Sequence, residues 1–159
     1  MLLAVLTLAC VVGLAAPTSA SAQESIQRFD SKTTLTRDNK ANITETIAYD
    51  FGTTSRHGIY RDIPIDYTDG ALTYYINFSL QSVRDENGTD QQTETTTVDG
   101  NKRIRIGDPD RTITGIHTYV ITYSLSPIVI DKSGSGFLNL DVVGEGWQVP
   151  IYDISARVA

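Results

Sequence analysis

The sequence predicts an all-β fold: an antiparallel β-sandwich of about eight or nine strands preceded by a signal-peptide helix. Three observations carry that prediction. Every well-patterned segment after Ala22 alternates with period two, none shows helical spacing over three turns, and turn chemistry recurs between the runs. A closed barrel is the alternative architecture.

Taken in chain order, a first strand of about Ile26–Thr36 leads through Arg37-Asp38-Asn39-Lys40 into a second. There Ile43, Glu45, Ile47, Tyr49 and Phe51 share one face, against Asn42, Thr44, Thr46, Ala48 and Asp50. Leu72, Tyr74, Ile76, Phe78 and Leu80 share a face of the next clear run. Asp99-Gly100-Asn101 between Thr93–Val98 and Lys102–Ile106 reads as a tight hairpin, because both central residues tolerate positive φ. Gly107-Asp108-Pro109-Asp110 is a further turn, with proline where no ladder donor is needed. The run His117, Tyr119, Ile121, Tyr123 and Leu125 is apolar on its other face as well, which marks a central strand. Ser133-Gly134-Ser135-Gly136 reads as a flexible loop before a strand at Phe137–Val143, and Gly144-Glu145-Gly146 turns the chain into another at Trp147–Ile151. The last segment still alternates, with Tyr152, Ile154, Ala156 and Val158 in line, as expected of a piece of a longer protein. The load of Thr, Ile, Val and Tyr fits pleated, half-buried surfaces.

Residues 1–22 set the expected compartment. An uncharged apolar run to Ala16, then Pro17 and the small-residue Ala20-Ser21-Ala22 site, is the pattern of a secretory signal. An uncleaved anchor is the competing reading, although residues 1–16 are short of the roughly 20 that a spanning helix needs. Thr7 and the apolar residues after Cys10 argue against a lipoprotein signal. Residues 23–159 then form a single extracytoplasmic domain, large enough to bury about two-thirds of its unfolded surface. It contains no cysteine, so its core alone must hold it. The net charge of −6 lies wholly in this part and argues against nucleic acid and anionic lipid surfaces as partners.

Few residues carry chemistry. Glu45 places a carboxylate in an apolar face, where burial costs several kcal/mol unless the charge is paired. It is either a structural ion pair or an acid–base group. Arg56-His57-Gly58-Ile59-Tyr60-Arg61-Asp62-Ile63-Pro64 concentrates polar side chains in a loop, and Arg61 is a fitting bidentate partner for Glu45. As a catalytic set, Glu45, His57, Arg61 and Asp62 lack a nucleophile motif. His57 and His117 are the only histidines and lie on separate segments, which leaves zinc short of ligands. Asp108 and Asp110, with Asp141 or Glu145, lack the calcium-loop pattern. No metal and no cofactor is expected. Trp147 reads as a core ring or as an exposed stacking surface. Asn42, Asn77 and Asn87 each head an Asn-x-Ser/Thr acceptor pattern.

The order of landmarks resembles a known family. Ile43-Thr44-Glu45-Thr46-Ile47-Ala48-Tyr49-Asp50-Phe51 precedes His57-Gly58-Ile59-Tyr60-Arg61-Asp62-Ile63-Pro64. Ile104-Arg105-Ile106-Gly107-Asp108, Gly115-Ile116-His117-Thr118-Tyr119-Val120-Ile121-Thr122-Tyr123 and Gly144-Glu145-Gly146-Trp147-Gln148-Val149-Pro150-Ile151 follow. Together they are similar to the N-terminal extracytoplasmic domain of a bacterial predicted-membrane-protein family, the domain of unknown function numbered 2207. The resemblance implies a signal peptide, this β domain, transmembrane helices beyond it and often a glycine-rich tail. It implies no activity and no catalytic residue. Where the family often has Trp-Asn, this chain reads Leu138-Asn139-Leu140, which puts ligand stacking at that position in doubt.

The function expected is therefore a non-enzymatic exported binding or interaction module, with an envelope protein or glycan as partner and membrane attachment through segments outside this chain. An envelope hydrolase or transferase using Glu45, His57, Arg61 and Asp62 is the alternative, and a structural spacer the third. The hydrolase requires Glu45 and His57 in one open pocket.

Overall fold

The computed structural model describes residues 23–132, 134–138 and 140–159. The signal-peptide expectation for residues 1–22 lies outside them. Among the described residues there is no helix, and so none long and apolar enough to cross a membrane. Twelve strands are present: β1 (Ser25–Thr36), β2 (Lys40–Asp50), β3 (Ile59–Pro64), β4 (Asp66–Asp69), β5 (Leu72–Tyr75), β6 (Asn77–Asp85), β7 (Thr93–Val98), β8 (Asn101–Ile106), β9 (Ile116–Ser126), β10 (Val129–Lys132), β11 (Ser135–Leu138) and β12 (Ile154–Val158).

Two sheets make the sandwich. The larger runs β12-β1-β2-β9-β6 and the smaller β3-β8-β7. Their inner faces share one core, with Ile26, Phe29, Ile43, Ile47, Ile121 and Tyr123 from the larger sheet and Ile59, Ile63, Ile104 and Ile106 from the smaller. Period-two alternation drives this arrangement directly. On β2, Ile43, Glu45, Ile47 and Tyr49 are all buried while their neighbours are not, and Phe51 continues the same face beyond the strand. A bulge between Ile26 and Arg28 shifts the phase of β1, so that Ile26 and Phe29 both face the core although they are three residues apart. β9 pairs with β2 on one side and β6 on the other, as its two apolar faces predict.

The structure corrects several details. The strands number twelve among the described residues, and the sheet is not wholly antiparallel, because β12 runs parallel to β1 from Phe29↔Ile154 to Thr33↔Val158. The run from Leu72 to Leu80 is broken at Ile76, whose N–H donates to the Ile65 carbonyl at 2.7 Å. That bond is in register with the β4–β5 hairpin, and at Asn77 the chain changes partner to Ser126 of β9, so β5 and β6 belong to different sheets. Of the segment expected as a flexible glycine-serine loop, Ser135 and Gly136 instead begin β11, which pairs with β10 from Val129↔Leu138 to Lys132↔Ser135. No strand extends to Val143, and Trp147–Ile151 is irregular apart from one parallel bridge, Ile26↔Ile151. There the Pro150 carbonyl accepts from Ile26 N–H at 2.9 Å, so the segment is seated against β1 without forming a ladder.

The Asp99-Gly100 hairpin is as expected, with φ of 48° and 75° at its two central residues. Asn39, at φ 58°, does more than turn the chain. Its Oδ1 accepts from the Ile128 and Val129 N–H groups at 3.0 and 2.7 Å, and its Nδ2 donates to the Val129 carbonyl at 2.9 Å. A turn residue of the first hairpin thereby anchors the start of β10.

Candidate functional site

Strand alternation on β3 sends Arg61 into the core and Asp62 to the surface cleft beside it. Glu45 on β2 and Arg61 on β3 meet between the two sheets with 0% and 1% of their side chains exposed. Arg61 Nε donates to Glu45 Oε2 at 2.7 Å and Nη2 to Oε1 at 2.7 Å, the bidentate fork that a lysine has no means to make. Tyr123 on β9 adds its hydroxyl to Glu45 Oε1 at 2.7 Å. Register explains why it reaches: Glu45 pairs across with Ile121 and Ile43 with Tyr123, so Tyr123 is the diagonal neighbour of Glu45.

The remaining guanidinium donors close the late loop. Arg61 Nη1 donates to the Asp62 carbonyl at 2.6 Å and Nη2 to the Val142 carbonyl at 3.4 Å. The rings of Phe29 and Trp147 lie 5.6 and 5.9 Å from the guanidinium carbon and 6.3 Å from each other, edge to face. Trp147 is partly buried and its indole N–H donates to the Val143 carbonyl at 2.9 Å. Gly144, at φ +79°, passes so close that an added Cβ lies 2.6 Å from Arg61 Nη1, so the loop needs glycine there on both counts. Burial by itself pulls the Arg61 pKa down, but the charge and hydrogen bonds of Glu45 outweigh it and the net shift is upward. Burial, with Glu45 next to it, raises the Tyr123 phenol well above its ordinary range.

Asp62 faces the other way. It lies in register with Arg103 on β8, which donates Nε to Oδ1 at 2.8 Å and Nη2 to Oδ2 at 2.7 Å. Arg103 also lies over the Tyr60 ring at 5.6 Å, and Tyr60 is 59% exposed. These residues line a cleft of about 730 Å³, with Glu24, Arg56 and Trp147 among its other walls. Glu24 binds Arg56 at 2.6 and 2.9 Å through Oε1 and accepts the Tyr49 hydroxyl at 2.9 Å through Oε2. The Arg56 hydrogen bond holds the Glu24 carboxyl below its usual range, against the opposing effect of partial burial. All five charged side chains lining the cleft are therefore paired, with Arg61 joined to Glu45 from behind.

His57 is elsewhere. Its Nδ1 lies 3.0 Å from the Arg111 carbonyl and 3.3 Å from that of Asp108, and it lines a second cavity of about 490 Å³. Of the sequence candidates, Glu45 joins Arg61 in the core, Asp62 and Trp147 wall the cleft that Arg61 backs, and His57 stands apart. Glu45 lines neither cavity. Asp108, a weak calcium candidate, uses Oδ1 to accept the Asp110 N–H at 2.9 Å, and no metal-binding group of three ligands occurs among the described residues. Sequence reasoning missed Tyr123, Tyr60, Arg103 and the Glu24–Arg56 pair. Exposure of Tyr60 follows from its alternation with Ile59 and Arg61, but the pairs depend on register and loop closure.

The comparisons agree with the sequence blocks. The chain matches the family described as predicted membrane protein (DUF2207) N-terminal domain over residues 25–159. No curated protein matches it. Among solved structures it is similar to an M1 zinc metallopeptidase from Deinococcus radiodurans, at 11% identity and TM-score 0.45, over 65% of this chain and 20% of that one. It is also similar to native leukotriene A4 hydrolase from Saccharomyces cerevisiae, at 10% identity and TM-score 0.45, over 64% of this chain and 15% of that one. The chain spans a fifth or less of the length of either protein, and nothing of their activity is carried over.

Proposed function

The chain belongs to the predicted membrane protein (DUF2207) N-terminal domain family, and on that premise we propose that residues 23–159 are the extracytoplasmic binding module of an envelope membrane protein. Its ligand is a neutral, polyhydroxylated molecule of the glycan class, held in the cleft beside Tyr60 and Trp147. The observation that carries this reading is the pairing of every charged side chain in the cleft around an exposed aromatic ring. Paired charges leave no net field to select an ion. They still present carboxylate oxygens and guanidinium N–H groups to hydroxyls, in fixed positions. Arg103 lies over one face of the Tyr60 ring, and the rest of this 59% exposed side chain supplies the apolar surface against which the C–H face of a sugar ring packs. The cleft volume is that of an ordinary small-ligand site.

The hydrolase or transferase alternative draws no support from this geometry, because Glu45 is sealed behind Arg61 and His57 lines a different cavity. Calorimetric titration with a panel of neutral oligosaccharides tests the proposal. Saturable binding is expected, lost in Tyr60→Ala at unchanged Tm. Absence of binding across the panel, or binding that Tyr60→Ala leaves intact, overturns it and favours a spacer.

A further inference from the structure

An edge strand carries a row of unpaired backbone groups, and folds blunt such edges with bulges, prolines or a covering segment. The edges of this sandwich are treated unequally. β6 has a bulge between Leu80 and Ser82, and its outer side is met by a return segment in which Asp90 bridges to Arg84 and Gln91 N–H donates to the Val83 carbonyl at 2.9 Å. β7 offers only threonines and Glu94 along its exposed length. β12 differs from both. It has no proline and no bulge, it is exposed from end to end, and among the described residues no strand lies on its outer side.

The backbone of β12 shows which groups are left over. The Asp153 carbonyl accepts from Phe29 N–H at 2.8 Å, and Ala159 N–H donates to the Thr33 carbonyl at 3.0 Å. Odd-numbered residues thus face β1, and alternation aims the N–H and C=O groups of Ile154, Ala156 and Val158 outward. Their side chains share the face of Phe29, Ser31 and Thr33, which are buried, yet Ile154 and Val158 are 50% and 49% exposed. Asp153, Ser155 and Arg157 occupy the other face, where Ser155 Oγ donates to Asp30. On that face Arg157 lies abreast of Lys32, and like charges side by side repel. Among the described residues Lys32, Asp153 and Arg157 have no ion-pair partner.

We infer that β12 is a self-association edge: a second copy of this chain adds its own β12 antiparallel to it, about a two-fold axis at Ser155. The charge order along the strand selects that partner and that register. About Ser155, Arg157 stands directly opposite the partner's Asp153, and symmetry repeats the pair. Ile154 and Ala156 then exchange backbone hydrogen bonds with the partner's Ala156 and the partner's Ile154. An axis one residue further on, at Ala156, sets Arg157 opposite a serine instead and brings the two arginines onto a diagonal. Unlike charges directly across, with apolar side chains meeting on the other face, are the contacts that stabilise a strand pair. The contact is one strand wide, so the dimer belongs to the weak, transient class, half formed at about 0.1 mM. β12 lines neither cleft, and the inference does not rest on the glycan reading.

Sedimentation equilibrium of residues 23–159, which contain the whole core, tests it. The parent is expected to pass from monomer to dimer between about 10 μM and about 1 mM, with no larger species, because a two-fold contact closes on itself. Asp153→Arg and Arg157→Asp each turn both attractions into repulsions, and each is expected to weaken the dimer by about 10-fold or more. An equimolar mixture of the two variants is expected to recover the parent's dimer, since each copy then carries the charges the other needs. The double variant, with the two charges exchanged, is expected to recover it as well. Recovery also shows that the single variants are folded. A parent that stays monomeric to about 1 mM overturns the inference. So does a dimer indifferent to both single substitutions, or one that neither the mixture nor the double variant restores.

Discussion

Arg61 and Asp62 are consecutive residues of β3, and each is joined to an opposite charge by two hydrogen bonds of 2.7–2.8 Å. Both line the same cleft, but their surroundings differ. Arg61–Glu45 is sealed between the sheets, while Arg103 of the other pair is 40% exposed on the wall of a cleft. The sealed pair crosses from one sheet to the other, from β3 to β2. The wet pair joins neighbouring strands of one sheet, β3 and β8. The difference teaches that the same contact geometry serves two purposes. In the core it fixes how two sheets and the late loop sit together; at the surface it orders the wall of a cleft.

The largest effect expected is from cutting the sealed pair on one side. Glu45→Ala leaves a buried guanidinium and the Tyr123 hydroxyl without their acceptor, and is expected to cost about 3–5 kcal/mol in urea unfolding. An apolar replacement of the whole network, Glu45→Leu with Arg61→Met and Tyr123→Phe, removes the charge instead of stranding it. It is expected to recover most of that loss, because desolvation of the pair offsets much of its attraction. If the triple variant is as unstable as Glu45→Ala, the network's contribution lies in seating the Val142–Trp147 loop rather than in neutralising a buried charge.

A smaller effect separates the third member by pH. Tyr123 has its folded-state pKa raised above the unfolded value of about 10, first by burial and then by Glu45. The native state therefore keeps a proton that the unfolded chain releases. The stabilisation is fully present below pH 10 and is lost as pH rises toward the folded pKa. Tyr123→Phe is expected to cost about 1.5–3 kcal/mol at pH 7, the range for a hydrogen bond to a charged group. Its deficit relative to the parent is expected to narrow by about 1.4 kcal/mol by pH 11. Tyr119, pushed up to about 12 by burial and by Glu86, is present in both proteins and cancels. A deficit that is constant from pH 7 to pH 11 contradicts the assignment.

Much of this contrast is legible in the amino-acid sequence itself. Period-two alternation identifies the buried face of β2 and makes Glu45 anomalous within it, and the fork geometry of arginine names Arg61 as the fitting partner. The alternation of Ile59, Arg61 and Ile63 with Tyr60 and Asp62 already separates the two destinations. What the sequence hides is register. That Tyr123 sits diagonally from Glu45, that Arg103 lies opposite Asp62 and that His57 and His117 share a cavity all depend on which residue of one strand faces which of another. The late loop misleads for a different reason. Phe137–Val143 and Trp147–Ile151 have strand-like composition, but only Phe137 and Leu138 join a ladder; farther on, the Val142 carbonyl accepts from Arg61, Asp141 accepts from the Gly144 N–H, and the Pro150 carbonyl accepts from Ile26 of β1. The single run from Leu72 to Leu80 divides because its partner changes, from β4 up to Tyr75 to β9 from Asn77 onward, and a change of partner leaves the alternation itself untouched.

The smallest effect expected is at the wet pair, and it is the sharpest discriminator because it is nearly a null. Asp62→Asn keeps the side-chain volume and one acceptor for Arg103 while removing the charge. Arg103 retains its place over Tyr60, and water replaces what the carboxylate gave it. With Arg103 40% and Asp62 18% exposed, the pair is open enough to water for its contribution to be small and screened by salt. Tm is accordingly expected to stay within about 2 °C of the parent, and the residual difference to vanish in 0.5 M NaCl. The deficit of Glu45→Ala is expected to be unchanged by the same salt, since ions do not enter the space between the sheets. A Tm loss in Asp62→Asn that rivals Glu45→Ala and resists salt means that the cleft wall is part of the scaffold, and that the boundary between core and surface does not fall between Arg61 and Asp62.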